Sequence, residues 1–110
     1  MALRLLHLSD LHFGKTTNPR ERASPIIDAI KRKLNQPELQ QIVLTGDLVD
    51  ALSEDKSEAY SKVAEFARLL GKELLDSDKP DRILFVPGRT DWCKQTGFEH
   101  YNKFVKKWYD

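Results

Sequence analysis

Hydrophobic and polar positions along this chain follow two alternating rhythms. Short apolar runs at Leu3–Ser9, Gln41–Thr45 and Arg82–Val86 are bounded by polar or turn residues, the pattern of buried strands. The third run closes on Pro87-Gly88, a turn signal. Between the runs, apolar residues recur at helical spacing. Ser24-Pro25 reads as a helix start, a capping hydroxyl followed by proline at the first helical position. That helix carries Ile26, Ile27 and Ile30 to Leu34 on one side and stops before Pro37. Tyr60, Val63, Phe66, Ala67, Leu70 and Leu74 mark a second helix, and Phe98, Tyr101, Phe104, Val105 and Trp108 a third. Lys15–Arg22 is the most loop-like segment. The order β-α-β-α-β-α predicts an α/β fold with a parallel sheet and right-handed crossovers. Three strands are few for such a sheet and leave a face or an edge poorly covered. The single domain over residues 1–110 therefore reads as incomplete, the first part of something longer.

Composition narrows the class. The chain is 40% hydrophobic and 32% charged, with a formal net charge of +1. Bulk electrostatics thus point to neither nucleic acid nor a membrane surface as partner, and no basic groove is legible. Lys31-Arg32-Lys33 reads as a solvated helix face. The single cysteine, Cys93, fits a reducing compartment. No apolar run is long enough to span a bilayer, and the N-terminal run is no signal peptide, so the cytoplasm is expected.

Chemistry gathers where the strands end. The first run leads into Asp10-Leu11-His12, the second into Gly46-Asp47-Leu48-Val49-Asp50, the third into Gly88-Arg89-Thr90-Asp91. In an open α/β sheet that edge is where ligands bind. Asp10 and His12 are two residues apart, so an extended segment points both to one side, where they can share a divalent cation. Asp47 can add a carboxylate, Gly46 lets the backbone turn sharply or approach closely, and Asp50 suits a loop-stabilising role. Each residue also has a plain structural reading, as a turn cap or a surface group. His7 alternates with apolar strand residues and reads as packed, while His100 reads as a surface residue of the last helix.

Ser9-Asp10-Leu11-His12 followed by Gly46-Asp47-Leu48-Val49-Asp50 resembles the calcineurin-like metallophosphoesterases, whose first motifs read D-x-H and G-D-x-x-D. Val86-Pro87-Gly88 precedes the position of their third motif, G-N-H-D or G-N-H-E, and Trp92, Phe98 and Tyr101 sit where bacterial members often carry aromatics. The resemblance implies the first half of an α/β/β/α sandwich around a two-metal centre of manganese, iron or zinc. Asp10 and His12 would bind the first metal and Asp47 would bridge both. The implied reaction is hydrolysis of a phosphate ester, with the cations stabilising attacking and leaving oxygens.

The third motif departs from the pattern. Arg89 stands where the family has a ligating asparagine, and a guanidinium has donors only. Its fixed charge about 4 Å from a divalent ion would repel it by several kcal/mol even at an effective dielectric of roughly 20. Thr90 stands where the family has a histidine that contacts the phosphate and assists the leaving group; a hydroxyl is no proton shuttle near neutral pH. Asp91, which in the family orients that histidine, has nothing to orient, and the family's later histidine motif, G-H-x-H, is absent. No catalytic residue is therefore named beyond the ligands, and one divalent cation rather than two is expected. Two functions stay open. One is an impaired metal-dependent phosphohydrolase acting on a phosphate ester. The other is a non-catalytic phosphate-ligand or protein-binding module, with Arg89 pairing to Asp47 or to a bound phosphate. A second chain completing the domain is a conceivable partner; a membrane is not expected, nor nucleic acid.

Overall fold

The computed structural model describes residues 4–34, 39–75 and 80–110. Within them lie three strands, β1 (Leu5–Ser9), β2 (Gln41–Thr45) and β3 (Ile83–Val86), and three long helices, α1 (Pro19–Lys33), α2 (Lys56–Leu74) and α3 (Glu99–Tyr109). The strands run parallel in the order β1-β2-β3, with Leu6 beside Ile42 and Leu44 beside Phe85. The expected alternating α/β order is thus the observed one. The Leu3 start and the Pro37 stop fall outside the described residues.

Strand alternation divides the sheet into two unlike faces. Leu6, Leu8, Ile42, Leu44, Ile83 and Phe85 turn into the core shared with the helices. Leu5, His7, Val43, Leu84 and Val86 occupy the other face, where Leu5 is 53% exposed and Val86 47%. The anticipated uncovered surface is therefore real. His7 is exposed rather than packed, because the register places it on this open face, and its Nε2 shares a hydrogen bond with the Thr45 hydroxyl at 2.7 Å.

The start of α1 differs from the expectation. Asn18 caps it, its side-chain oxygen accepting from the amides of Arg20 at 3.0 Å and Glu21 at 3.1 Å, and Pro19 fills the first helical position. Ser24 is no cap, and Pro25 sits inside the helix, where its missing N–H forfeits one bond to the Glu21 carbonyl. A doubly used Asn cap and the burial of Pro19 and Ala23 outweigh that loss. The loop-like segment therefore ends at Asn18, four residues earlier than expected.

Asp55 caps α2 by accepting from the Glu58 amide at 2.9 Å. This helix buries Tyr60, Val63, Phe66, Ala67, Leu70 and Leu74, the periodic set, and Phe66 meets the fully buried Phe13 with ring centroids 5.2 Å apart. On α3, Tyr101 and Phe104 are buried against Tyr60 and Phe85. Hydroxyls and an indole fasten this helix to the third strand region: Tyr101 donates to the Phe85 carbonyl, Tyr109 to that of Ile83, and Trp108 to that of Pro80. No helix among the described residues is long and apolar enough to cross a membrane.

The aromatic layer makes the fold sensitive to alkali. Burial, with a hydrogen bond to the Asp91 carboxylate, pushes the Tyr60 phenol far above its ordinary 10.0. Burial pushes Tyr101 up to about 12. Raised folded-state values mean a stabilisation that is complete below the unfolded phenol's pKa and is lost as the pH climbs above it. The unfolding midpoint should therefore fall as the pH passes beyond 10, with phenolate absorbance from these tyrosines rising together with loss of helical circular dichroism. Full phenolate formation with native helicity intact would contradict the packing described.

Candidate metal centre

Polar and apolar positions interleave just past the strand ends. Leu11 and Phe13 are buried while Asp10 and His12 are exposed; Leu48 and Val49 are fully buried while Asp47 and Asp50 are half-buried. The apolar members anchor each loop and the polar members project from it. The two loops lie side by side, continuing the strand pairing in irregular form. His12 N–H donates to the Asp47 carbonyl at 2.9 Å, Phe13 N–H to that of Leu48 at 2.9 Å, and Asp50 N–H to that of Phe13 at 2.8 Å.

The backbone here is not the extended segment expected from the sequence. Asp10, His12 and Asp47 have φ of 56°, 49° and 51°, the positive-φ non-glycine residues among those described, and Gly46 joins them at 67°. Left-handed backbone costs an L-residue about 1 kcal/mol or more, and such residues concentrate at functional sites. The three strained residues are the same three whose ligand atoms converge, all lying within 4.8 Å of one another. Two carboxylate oxygens and an imidazole nitrogen are a donor set suited to manganese, iron or zinc. Two carboxylates turned toward one point beside His12 are what a cation would balance.

Side chains from the helices hold the loops by their carbonyls. Arg22 donates to the Leu11 carbonyl at 2.7 Å and lies over the Phe13 ring. Lys62 donates to the carbonyls of Gly14 at 2.8 Å and Lys15 at 2.6 Å, and Lys56 to that of Asp50 at 2.7 Å. The third loop is joined to the second by Asp91, a carboxylate only 4% exposed. It accepts from Leu48 N–H at 3.1 Å, Gly88 N–H at 2.8 Å and the Tyr60 hydroxyl at 2.7 Å. Thr90 donates both its N–H, at 2.9 Å, and its hydroxyl, at 3.1 Å, to one oxygen of Asp47. That amide bond is the main reason the Asp47 carboxyl is held below its usual range; burial opposes it, and the Thr90 hydroxyl, the His12 charge and Asp10 add to the lowering.

A model of the calcineurin-like phosphoesterases matches residues 3–110. The chain belongs to that family. No curated protein and no solved structure matches it.

Within this calcineurin-like phosphoesterase domain the altered third motif takes a definite form. Arg89 is exposed and its guanidinium makes no hydrogen bond or ion pair to any described residue, so the expected pairing with Asp47 does not form. Thr90 makes that contact instead, because the short 3₁₀ turn Arg89–Asp91 aims its amide at Asp47. Asp91, far from idle, knits two loops and α2 together. Asp50 stabilises its own loop, accepting from Leu52 N–H at 3.0 Å. A groove of ≈ 1350 Å³ between α2 and α3 is lined by Arg68, Lys72, Lys107 and half-buried His100 beside apolar Leu75, Ile83, Phe104 and Trp108.

Close approach is required at Gly88 rather than Gly46. A Cβ built on Gly88 would sit 2.1 Å from the Asp47 backbone nitrogen and 2.6 Å from Asp47 Oδ1, whereas one on Gly46 meets nothing within 4 Å. Gly88→Ala should thus push the second and third loops apart. The expected cost is about 1–3 kcal/mol in denaturant unfolding, from overpacking against backbone. Manganese affinity should fall on the order of tenfold or more, the loss typical when a ligand's supporting contacts go. Wild-type stability and metal affinity in this variant would contradict the close approach.

Proposed function

We propose that this domain holds a single divalent cation between Asp10, His12 and Asp47 and binds phosphate esters there, hydrolysing them slowly. The observation that carries the reading is the coincidence of backbone strain and convergence: the same three residues are left-handed and bring their ligand atoms within 4.8 Å. Support for one cation rather than two comes from Asp47. One of its oxygens already accepts two bonds from Thr90, which leaves only the lone pairs of the other for metal. Arg89 takes the position where the family pattern has a ligating asparagine, and its guanidinium offers donors but no ligand atom.

When bound, the cation would supply Lewis acidity toward a phosphoryl oxygen and a more acidic water. The chain's own residues do the rest. Asp10 and Asp47 would hold the ion through carboxylate oxygens and His12 through an imidazole nitrogen. Thr90 keeps Asp47 ionised and oriented. Its hydroxyl is committed to that task, so no side chain of the third loop is left to protonate a leaving group. Esters with acidic leaving groups are therefore favoured over alkyl esters. The alternative is a non-catalytic phosphate-ligand or protein-binding module that keeps the fold, with Arg89 in place of a second cation.

Titration of metal-free protein with manganese, followed by the electron paramagnetic resonance of the free ion, should give one site per chain that Asp10→Ala and Asp47→Ala each abolish. Manganese-dependent hydrolysis of an aryl phosphate should be slow, lost in both variants, and undetectable with an alkyl phosphate. Binding untouched by the two substitutions would overturn the site. Binding without any turnover would leave the ligand-binding module.

A further inference from the structure

Beside the metal cluster lies a second, smaller concavity of ≈ 360 Å³, between the loop that follows β2 and the segment 89–95. Thr90 joins the two, lining the concavity while its hydroxyl reaches Asp47 at 3.1 Å. Lys56, Arg89 and Lys94 line it, together with Trp92 and Cys93, and no acidic residue does. Lys56 is partly committed to backbone carbonyls at 2.7 and 3.4 Å, but retains its charge. The side chains of Arg89 and Lys94 make no hydrogen bond or ion pair to any described residue. Of the salt bridges among described residues, none uses a cation of this concavity. Uncompensated cations sharing one concave wall repel each other, and an anion relieves that repulsion.

From this juxtaposition we infer that the concavity is an anion subsite that takes a second phosphoryl group of the ligand, with Arg89 and Lys94 as its principal contacts. It rests on the single-cation reading of the neighbouring cluster. The substrate class it names is a phosphate ester whose reacting phosphorus carries another phosphate, as in a diphosphate. The phosphoryl group nearer Asp10, His12 and Asp47 occupies the metal side, and the next one lies against the guanidinium fork, whose planar donors match two phosphate oxygens. The replacement of asparagine by Arg89 then exchanges a metal ligand for a recognition group.

Inorganic phosphate and inorganic pyrophosphate test this directly. Calorimetric titration of the manganese-loaded chain should show pyrophosphate binding at least tenfold more tightly than phosphate. The double variant Arg89→Ala, Lys94→Ala should reduce pyrophosphate to the affinity of phosphate while manganese binding is retained. Removing a charge from α3 with Lys106→Ala should change neither. Cys93, the single cysteine, gives a metal-independent readout, since pyrophosphate should slow its alkylation even with chelator present, and less so in the double variant. Absence of manganese binding would strike at the cation site. Intact manganese binding with no preference for pyrophosphate, an unaffected double variant, or an equal loss in the α3 control would overturn the anion subsite alone.

Discussion

The buried carboxylate of Asp91 is the constraint on which the site depends. It takes one bond from the loop after β2, one from the loop after β3 and one from the α2 hydroxyl of Tyr60. Without it, two amides and a buried phenol would lose their partner, at about 1–3 kcal/mol for each group left unsatisfied. With it, the second and third loops are held so close that only a hydrogen atom fits where Gly88 passes Asp47. That contact in turn lets the Thr90 amide reach Asp47 and fix its carboxylate. A residue outside the Asp10, His12 and Asp47 cluster thus determines where Asp47 points.

The same economy governs the first loop. Leu11 and Phe13 are drawn into the core beside α1 and α2, and this leaves Asp10 and His12 outside in strained backbone. Arg22 and Lys62 counter the strain by binding the loop's carbonyls. Folding energy from apolar burial is spent on a polar arrangement that would not hold by itself. The open sheet face is the converse case: Leu5, Leu84 and Val86 are apolar, exposed, and uninvolved in positioning the site.

Much of this was legible in the amino-acid order. The strand runs and the α2 and α3 stripes follow from apolar periodicity, which tertiary packing reinforces. The beginning of α1 was not, because Ser24-Pro25 carries the local signature of a helix start and only the buried Pro19 and Ala23 favour the earlier one. The three residues Asp10, His12 and Asp47 could be named from their places after strands, but their left-handed backbone could not, since the cross-loop bonds from His12 and Phe13 impose it. Arg89 and Thr90 were recognisable as departures, yet which of them meets Asp47 depends on a turn whose direction a sequence does not state. His7 was misread for a similar reason: alternation tells that one face of a strand differs from the other, not that both are covered.

The proposed single-cation centre of this calcineurin-like phosphoesterase domain can be seen directly. The most direct measurement is anomalous scattering from crystals of the protein grown with manganese. One peak bounded by Asp10, His12 and Asp47, with Thr90 still bonded to Asp47 and Arg89 away from the ion, is the predicted result. Two peaks bridged by Asp47, or no peak among these three residues, would contradict it.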